Sequence, residues 1–141
     1  MNSQIIIVDD ELQTLSAMEI LLTINGYSLV RLFPDYDSAR ETILTEDCDV
    51  LFLDISMPGT DGITALQEIM AQKPEQAVVM ITGNSTVPTA VQAMKLGAVD
   101  FLMKPTSAEE ILEILAMLIQ KKSLQQTNST IQDVDPVLGR R

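Results

Sequence analysis

Apolar residues arrive along this 141-residue chain in two alternating rhythms. Short continuous runs at 4–8, 50–53 and 77–81 are rich in Ile, Val and Leu and carry no charge. Runs of that length bounded by turn signals read as strands buried on both faces. Two less uniform runs, 27–33 and 99–103, read as strands as well. Between them apolar residues recur at three- and four-residue spacing. The sets are Leu12, Leu15, Met18 and Leu22 (with Glu19), then Ala39, Ile43 and Leu44, then Ile63, Leu66, Ile69 and Met70. Val91 and Met94 (with Lys95) follow, then Ile111, Leu112, Ile114, Leu115, Leu118 and Ile119. Each predicts an amphipathic helix.

Punctuation residues agree with that division. Gly26, after Asn25, suits the left-handed position past a helix end, and Gly97 repeats the device. Pro34 closes the second strand, and Asp37 is expected to cap the helix after it. Pro58 and Gly59 break the chain after the central strand, and Lys73-Pro74 ends the third helix. Pro88 fits a first helical turn. Ser107 and Glu110 form a capping box for the last helix, which is expected to end near Lys121-Lys122. From Ser123 the composition turns to Gln, Thr, Asn, Ser and Asp, so residues 1–122 read as one domain and 123–141 as a linker or tail. Strand and helix alternate five times, which predicts a parallel sheet with helices on both faces and right-handed crossovers.

Composition narrows the function. Hydrophobic residues make up 46% and aromatics 4%, with no Trp, so the core is aliphatic. The net charge of −11 disfavours nucleic acid and anionic membrane surfaces and favours divalent cations and basic partners. The absence of His excludes His-based catalysis, and the single Cys48 excludes an internal disulfide and fits a reducing compartment. The first apolar run is broken by Asp9-Asp10-Glu11, unlike a secretion signal, and no run has the length of a membrane span. A cytoplasmic protein is expected.

Asp9, Asp10, Asp54, Thr82 and Lys104 all lie at or just past the C-terminal end of an expected strand. In a doubly wound sheet those ends share one edge, where ligands bind. Taken singly, Asp9 or Asp10 reads as a helix cap and Thr82 as a turn residue. Lys104 before Pro105 is less ordinary, and a cis bond there is a known option for X-Pro steps. Together their types are complementary. Clustered carboxylates repel unless a cation compensates. Hard oxygen ligands suit Mg2+, which neutralises charge on an incoming phosphoryl group. Asp54 could then attack phosphorus, with Lys104 and Thr82 donating to the phosphoryl oxygens.

The chain resembles the receiver domain of bacterial two-component response regulators. The matching pieces are Val8-Asp9-Asp10-Glu11, the segment 53–62 around Asp54, Ile81-Thr82-Gly83, and Asp100-Phe101-Leu102-Met103-Lys104-Pro105. They fall in family order over roughly residues 4–122. The resemblance implies an α/β fold, a flavodoxin-like doubly wound five-stranded parallel sheet of order 2-1-3-4-5. It implies Asp54 as phosphoacceptor, with Mg2+ held by Asp9, Asp10, Asp54 and the main-chain carbonyl of Ser56. Thr82 and Lys104 match the phosphoryl-contacting pair, and Phe101 the aromatic switch. Ser56 and Asn84 match positions that tune phosphoryl lifetime. The implied partners are a sensor histidine kinase and an output domain, in transcription by likeness to regulators that carry an ATPase or helix-turn-helix module. Residues 86–119 are the expected face for a homodimer or for output contact, and 123–141 the expected lead into an output domain outside this chain.

Three rivals fit less well. An Asp-nucleophile phosphatase wants a second Asp two positions after the nucleophile, and Ser56 stands there. A flavin-binding module wants a Ser/Thr/Gly-rich phosphate loop where this chain has Asp9-Asp10-Glu11. A purely structural module has no need of all five residues at one edge.

Overall fold

The computed structural model describes residues 3–57, 59–83 and 87–134, with side chains to Leu124. Pro58, Asn84 and residues 135–141, to which roles were assigned above, lie outside these. The elements alternate as β1 (Gln4–Val8), α1 (Leu12–Ile24), β2 (Leu29–Phe33), α2 (Tyr36–Thr45), β3 (Val50–Asp54), α3 (Gly62–Gln72), β4 (Val78–Thr82), α4 (Val87–Leu96), β5 (Asp100–Met103) and α5 (Ala108–Val134). The five strands form one parallel sheet in the order β2-β1-β3-β4-β5, as expected.

Every residue of β3 and of β4 is buried, as strands built from Val, Leu, Phe, Met and Ile are between two helical layers, with Asp54 and Thr82 at their C-terminal ends buried as well. Side chains alternate across the sheet, so two cores form. One holds Ile6, Val8, Leu51, Leu53, Val78 and Met80 with the inner faces of α2, α3 and α4. The other holds Ile5, Ile7, Val50, Phe52, Val79 and Ile81 with Leu15, Met18 and Leu22 of α1 and Ile111, Ile114, Leu115 and Leu118 of α5.

Several boundaries differ from the sequence expectation. The second strand starts at Leu29, not Tyr27, because the Tyr27 amide donates to Leu22 O at 3.0 Å and Gly26 N to Thr23 O at 3.1 Å. Those two bonds close α1, with Gly26 at φ +94° and Tyr27 buried in the same core as Leu22. Gly97, at φ +119°, closes α4 in the same way through Ala98 N to Ala93 O. The cap of α2 is Asp35 rather than Asp37: extended backbone at Asp35 lets Oδ1 accept from Ser38 N at 2.7 Å. Asp37 instead accepts from Thr60 Oγ1 at 2.9 Å and ties the loop after β3 to α2. The last helix does not end near Lys121-Lys122 but continues to Val134. No Gly or Pro interrupts it before Pro136, and its polar residues tolerate a helix once the packed N-terminal half has nucleated it. The capping box forms, with Ser107 Oγ accepting from Glu110 N at 3.0 Å and Glu110 Oε1 accepting from Ser107 N at 3.3 Å.

Candidate functional site

The C-terminal ends of β1, β3, β4 and β5 deliver Asp9, Asp54, Thr82 and Lys104 to one edge. Pairing fixes their order, since Val8 lies beside Leu53, Asp54 beside Ile81 and Thr82 beside Met103. Asp9, Asp54 and Thr82 are buried and Asp10 is exposed. Carboxylate oxygens of Asp9, Asp10 and Asp54 lie within 4.8 Å of one another. Such a set of hard oxygen donors, open to water on the Asp10 side, fits Mg2+, which binds through a few carboxylates and keeps waters.

Asp54 is 3% exposed. Burial, then the Asp9 charge, pushes its carboxyl up to about 7, and the Lys104 charge and a bond from Ser56 N (3.2 Å to Oδ1) counteract only part of this. Lys104 Nζ stands 2.8 Å from Asp9 Oδ2, 2.5 Å from Glu11 Oε1 and 3.7 Å from Asp54 Oδ2. Burial alone would lower the Lys104 pKa; hydrogen bonds to Asp9 and Glu11 and the Asp54 charge override it and hold the ammonium above its usual range. The Lys104 amide donates to Thr82 O at 2.8 Å, which locks the two strand ends together, and the Lys104-Pro105 bond is cis.

Ser56 sits on the loop after β3 with its side chain exposed. Gly62 brings the start of α3 hard against this loop. Its amide donates to Ile55 O at 2.9 Å, and a Cβ there would lie 2.4 Å from Asp54 O. Phe101, paired with Met80 in the sheet, is half-buried against the α2–α3–α4 core. The structure thus brings together Asp9, Asp10, Asp54 and Lys104, with Thr82 joined through its main chain, and keeps Phe101 behind them in the sheet.

Two participants escaped the sequence reading. Glu11 was seen as part of an acidic run but not as a Lys104 partner, a contact across 93 residues. Gly62 enters the sequence reading only as the last residue of the matching segment 53–62, while its closeness to the Asp54 backbone exists only in three dimensions.

Comparison with known proteins agrees with this geometry. The family described as "Response regulator receiver domain" matches residues 5–116. FixJ, a transcriptional regulatory protein of Bradyrhizobium diazoefficiens, is 32% identical over 92% of this chain and 63% of its own length. NtrX of Azorhizobium caulinodans, a nitrogen assimilation regulatory protein, is 36% identical over 89% of this chain and 28% of its own. Against the two DctD regulators of C4-dicarboxylate transport, from Rhizobium meliloti and Pseudomonas aeruginosa, the chain spans 28% of their length. The crystal structure of the NtrX receiver domain from Brucella abortus matches with a TM-score of 0.77 at 35% identity, covering 83% of this chain and 98% of that one. A CheY-like receiver domain protein from Methanospirillum hungatei matches with a TM-score of 0.80 at 25% identity, covering 87% and 98%. A parallel sheet of this order, an acidic cluster at its carboxyl edge and a match over most of the length lead to one assignment: the chain belongs to the receiver domains of two-component response regulators.

Proposed function

We propose that this domain is a phosphorylation-driven switch in which Asp54 accepts a phosphoryl group from a phosphohistidine of a sensor histidine kinase. The observation that carries this reading is the buried Asp54 carboxyl, beside two further carboxylates and 3.7 Å from a lysine ammonium. An Asp54 oxygen attacks phosphorus as the P–N bond to the kinase breaks, leaving an aspartyl phosphate and a free imidazole. Asp9, Asp10, Asp54 and the Ser56 carbonyl would hold Mg2+, which supplies positive charge to the phosphoryl oxygens in transfer and in hydrolysis. Lys104 balances part of the remaining charge, and Thr82 donates its hydroxyl. The chain's own contribution is positioning and fixed charge. Ser56 offers no carboxyl to act as general acid, which disfavours a small-molecule phosphatase. The domain's catalysis is limited to its own phosphorylation and dephosphorylation.

Phosphorylation biases two existing arrangements. Thr82 moves to the phosphoryl oxygens and Phe101 follows; without a hydroxyl it signals by packing alone. Thr82 pairs with Met103, and Phe101 lies within residues 86–119, where Val91 and Met94 of α4 and Met103 of β5 are exposed. That apolar face supports dimerisation or output contact. The output is transcriptional, as the likeness to the transcriptional regulatory protein FixJ supports, and residues 123–141 lead to it. No helix among the described residues is long and apolar enough to cross a membrane. The reading places the domain in the cytoplasm, with no nucleic acid bound by this acidic chain itself.

Intact mass after incubation with acetyl phosphate tests the reading. One phosphate adduct is expected with Mg2+, none with EDTA and none in Asp54→Asn. An adduct that persists in Asp54→Asn would sink it.

A further inference from the structure

Lys104 shares its ammonium unevenly. An ammonium has three donors. Asp9 Oδ2 at 2.8 Å and Glu11 Oε1 at 2.5 Å take two of them, while Asp54 Oδ2 at 3.7 Å lies beyond hydrogen-bond reach. Glu11 is the one carboxylate of this group with no part in the mechanism above. Its amide donates to Asp9 Oδ1 at 2.8 Å, so one residue holds Asp9 by its main chain and Lys104 by its side chain. The Glu11 side chain is 60% exposed, whereas that of Lys104 is 16% exposed. Both border a cavity of about 610 Å3 between α1 and the start of α5, floored by Met18, Ile81 and Ile111. Glu11 therefore has room to swing off while Lys104 stays in the crevice.

Resting on the phosphoacceptor reading, we infer that Glu11 is a restraining residue: its carboxylate holds Lys104 on the α1 side of the crevice, in competition with phosphoryl oxygens at Asp54, and so sets the rate of phosphate acceptance. The competition is direct, because two donors spent on carboxylates leave one for phosphate. The same carboxylate adds negative charge where an anionic phosphoryl donor approaches, so contact and field act in one direction. Exposed ion pairs are weak, which makes the restraint a moderate one that an incoming phosphoryl group can displace.

The test follows adduct formation with acetyl phosphate and Mg2+ by intact mass on the 141-residue chain. Glu11→Gln keeps the shape and removes the charge. Glu41→Gln removes one charge from the exposed surface of α2, away from the crevice and from residues 86–119, and controls for net charge. Phosphorylation of Glu11→Gln is expected to be about three- to fivefold faster, the size of an exposed pair, with Glu41→Gln at the wild-type rate. A rate for Glu11→Gln equal to or below wild type, or an equal rise in Glu41→Gln, overturns the inference. A second readout needs no metal and no phosphate. In lysine-15N-labelled, Mg2+-free protein, the Lys104 ammonium signal, assigned with Lys104→Arg, should exchange with water faster in Glu11→Gln than in wild type. Unchanged exchange would show that Glu11 does not hold the ammonium. A wild type that takes no phosphate would sink the phosphoacceptor reading, and the exchange measurement would still decide the Glu11 contact.

Discussion

Replacing Asp54 by Asn in metal-free protein should raise stability at neutral pH and leave it unchanged in acid. The fold lifts the Asp54 carboxyl from 3.8 to about 7, through burial first and the Asp9 charge second. A raised native pKa means that the native state holds this proton more tightly than the unfolded chain does. The resulting stability is fully present below about pH 4, falls as pH climbs toward 7, and is then lost. About three units of difference at 1.36 kcal/mol each give about 4 kcal/mol. Water entering the crevice around exposed Asp10 lowers this figure, so about 2–4 kcal/mol is expected. Asn has nearly the same shape and no charge, and it removes the pH dependence. The assay is urea unfolding in EDTA from pH 5 to pH 8, a range in which Glu68, held near 2 by Arg40 and Tyr36, changes little in the folded state. The wild type should lose stability across that range relative to Asp54→Asn. Added Mg2+ at pH 8 should restore the wild type more than the variant. Parallel pH profiles for the two proteins would refute the claim that burial and Asp9 load this carboxyl.

Two further substitutions probe how the site is held. Gly62→Ala places a Cβ 2.4 Å from Asp54 O and 2.5 Å from Ile55 Cα, both backbone atoms that can move only with β3; about 1–3 kcal/mol of destabilisation is expected from the urea midpoint, as for overpacking, together with weaker Mg2+ binding by calorimetry, and a neutral result would mean that α3 is not pressed against the Asp54 backbone. Lys73→Met removes an ammonium that donates at 2.8 Å to both Ile43 O and Glu46 O, the last turn of α2 and its cap; about 0.5–1.5 kcal/mol should be lost, the net worth of a hydrogen bond whose acceptors water can reach, with no change in phosphate uptake.

What the sequence determined by itself is the local part. Uncharged Ile/Val/Leu runs cannot be solvated, so β1, β3 and β4 had to be interior strands. Gly26, Gly97 and the Ser107–Glu110 box act within a few residues of themselves, so their roles were legible. The alternation of strand and helix set the fold class. Because every parallel strand ends at the same edge, the gathering of Asp9, Asp54, Thr82 and Lys104 followed as well. Tertiary structure decided what depends on distant partners. With acids at both 35 and 37, only the extended backbone after Pro34 selected Asp35 as the cap and released Asp37 to bind Thr60. The end of α5 could not be read from composition, because polar residues neither stop nor drive a helix and the packed half carries the rest. The grip of Glu11 on Lys104 joins the two ends of the domain, and the pressure of Gly62 on Asp54 O needs a missing side chain to be placed in space. Neither leaves a periodic or compositional mark on the chain, because each is a short-range force between groups that only the closed sheet brings within reach.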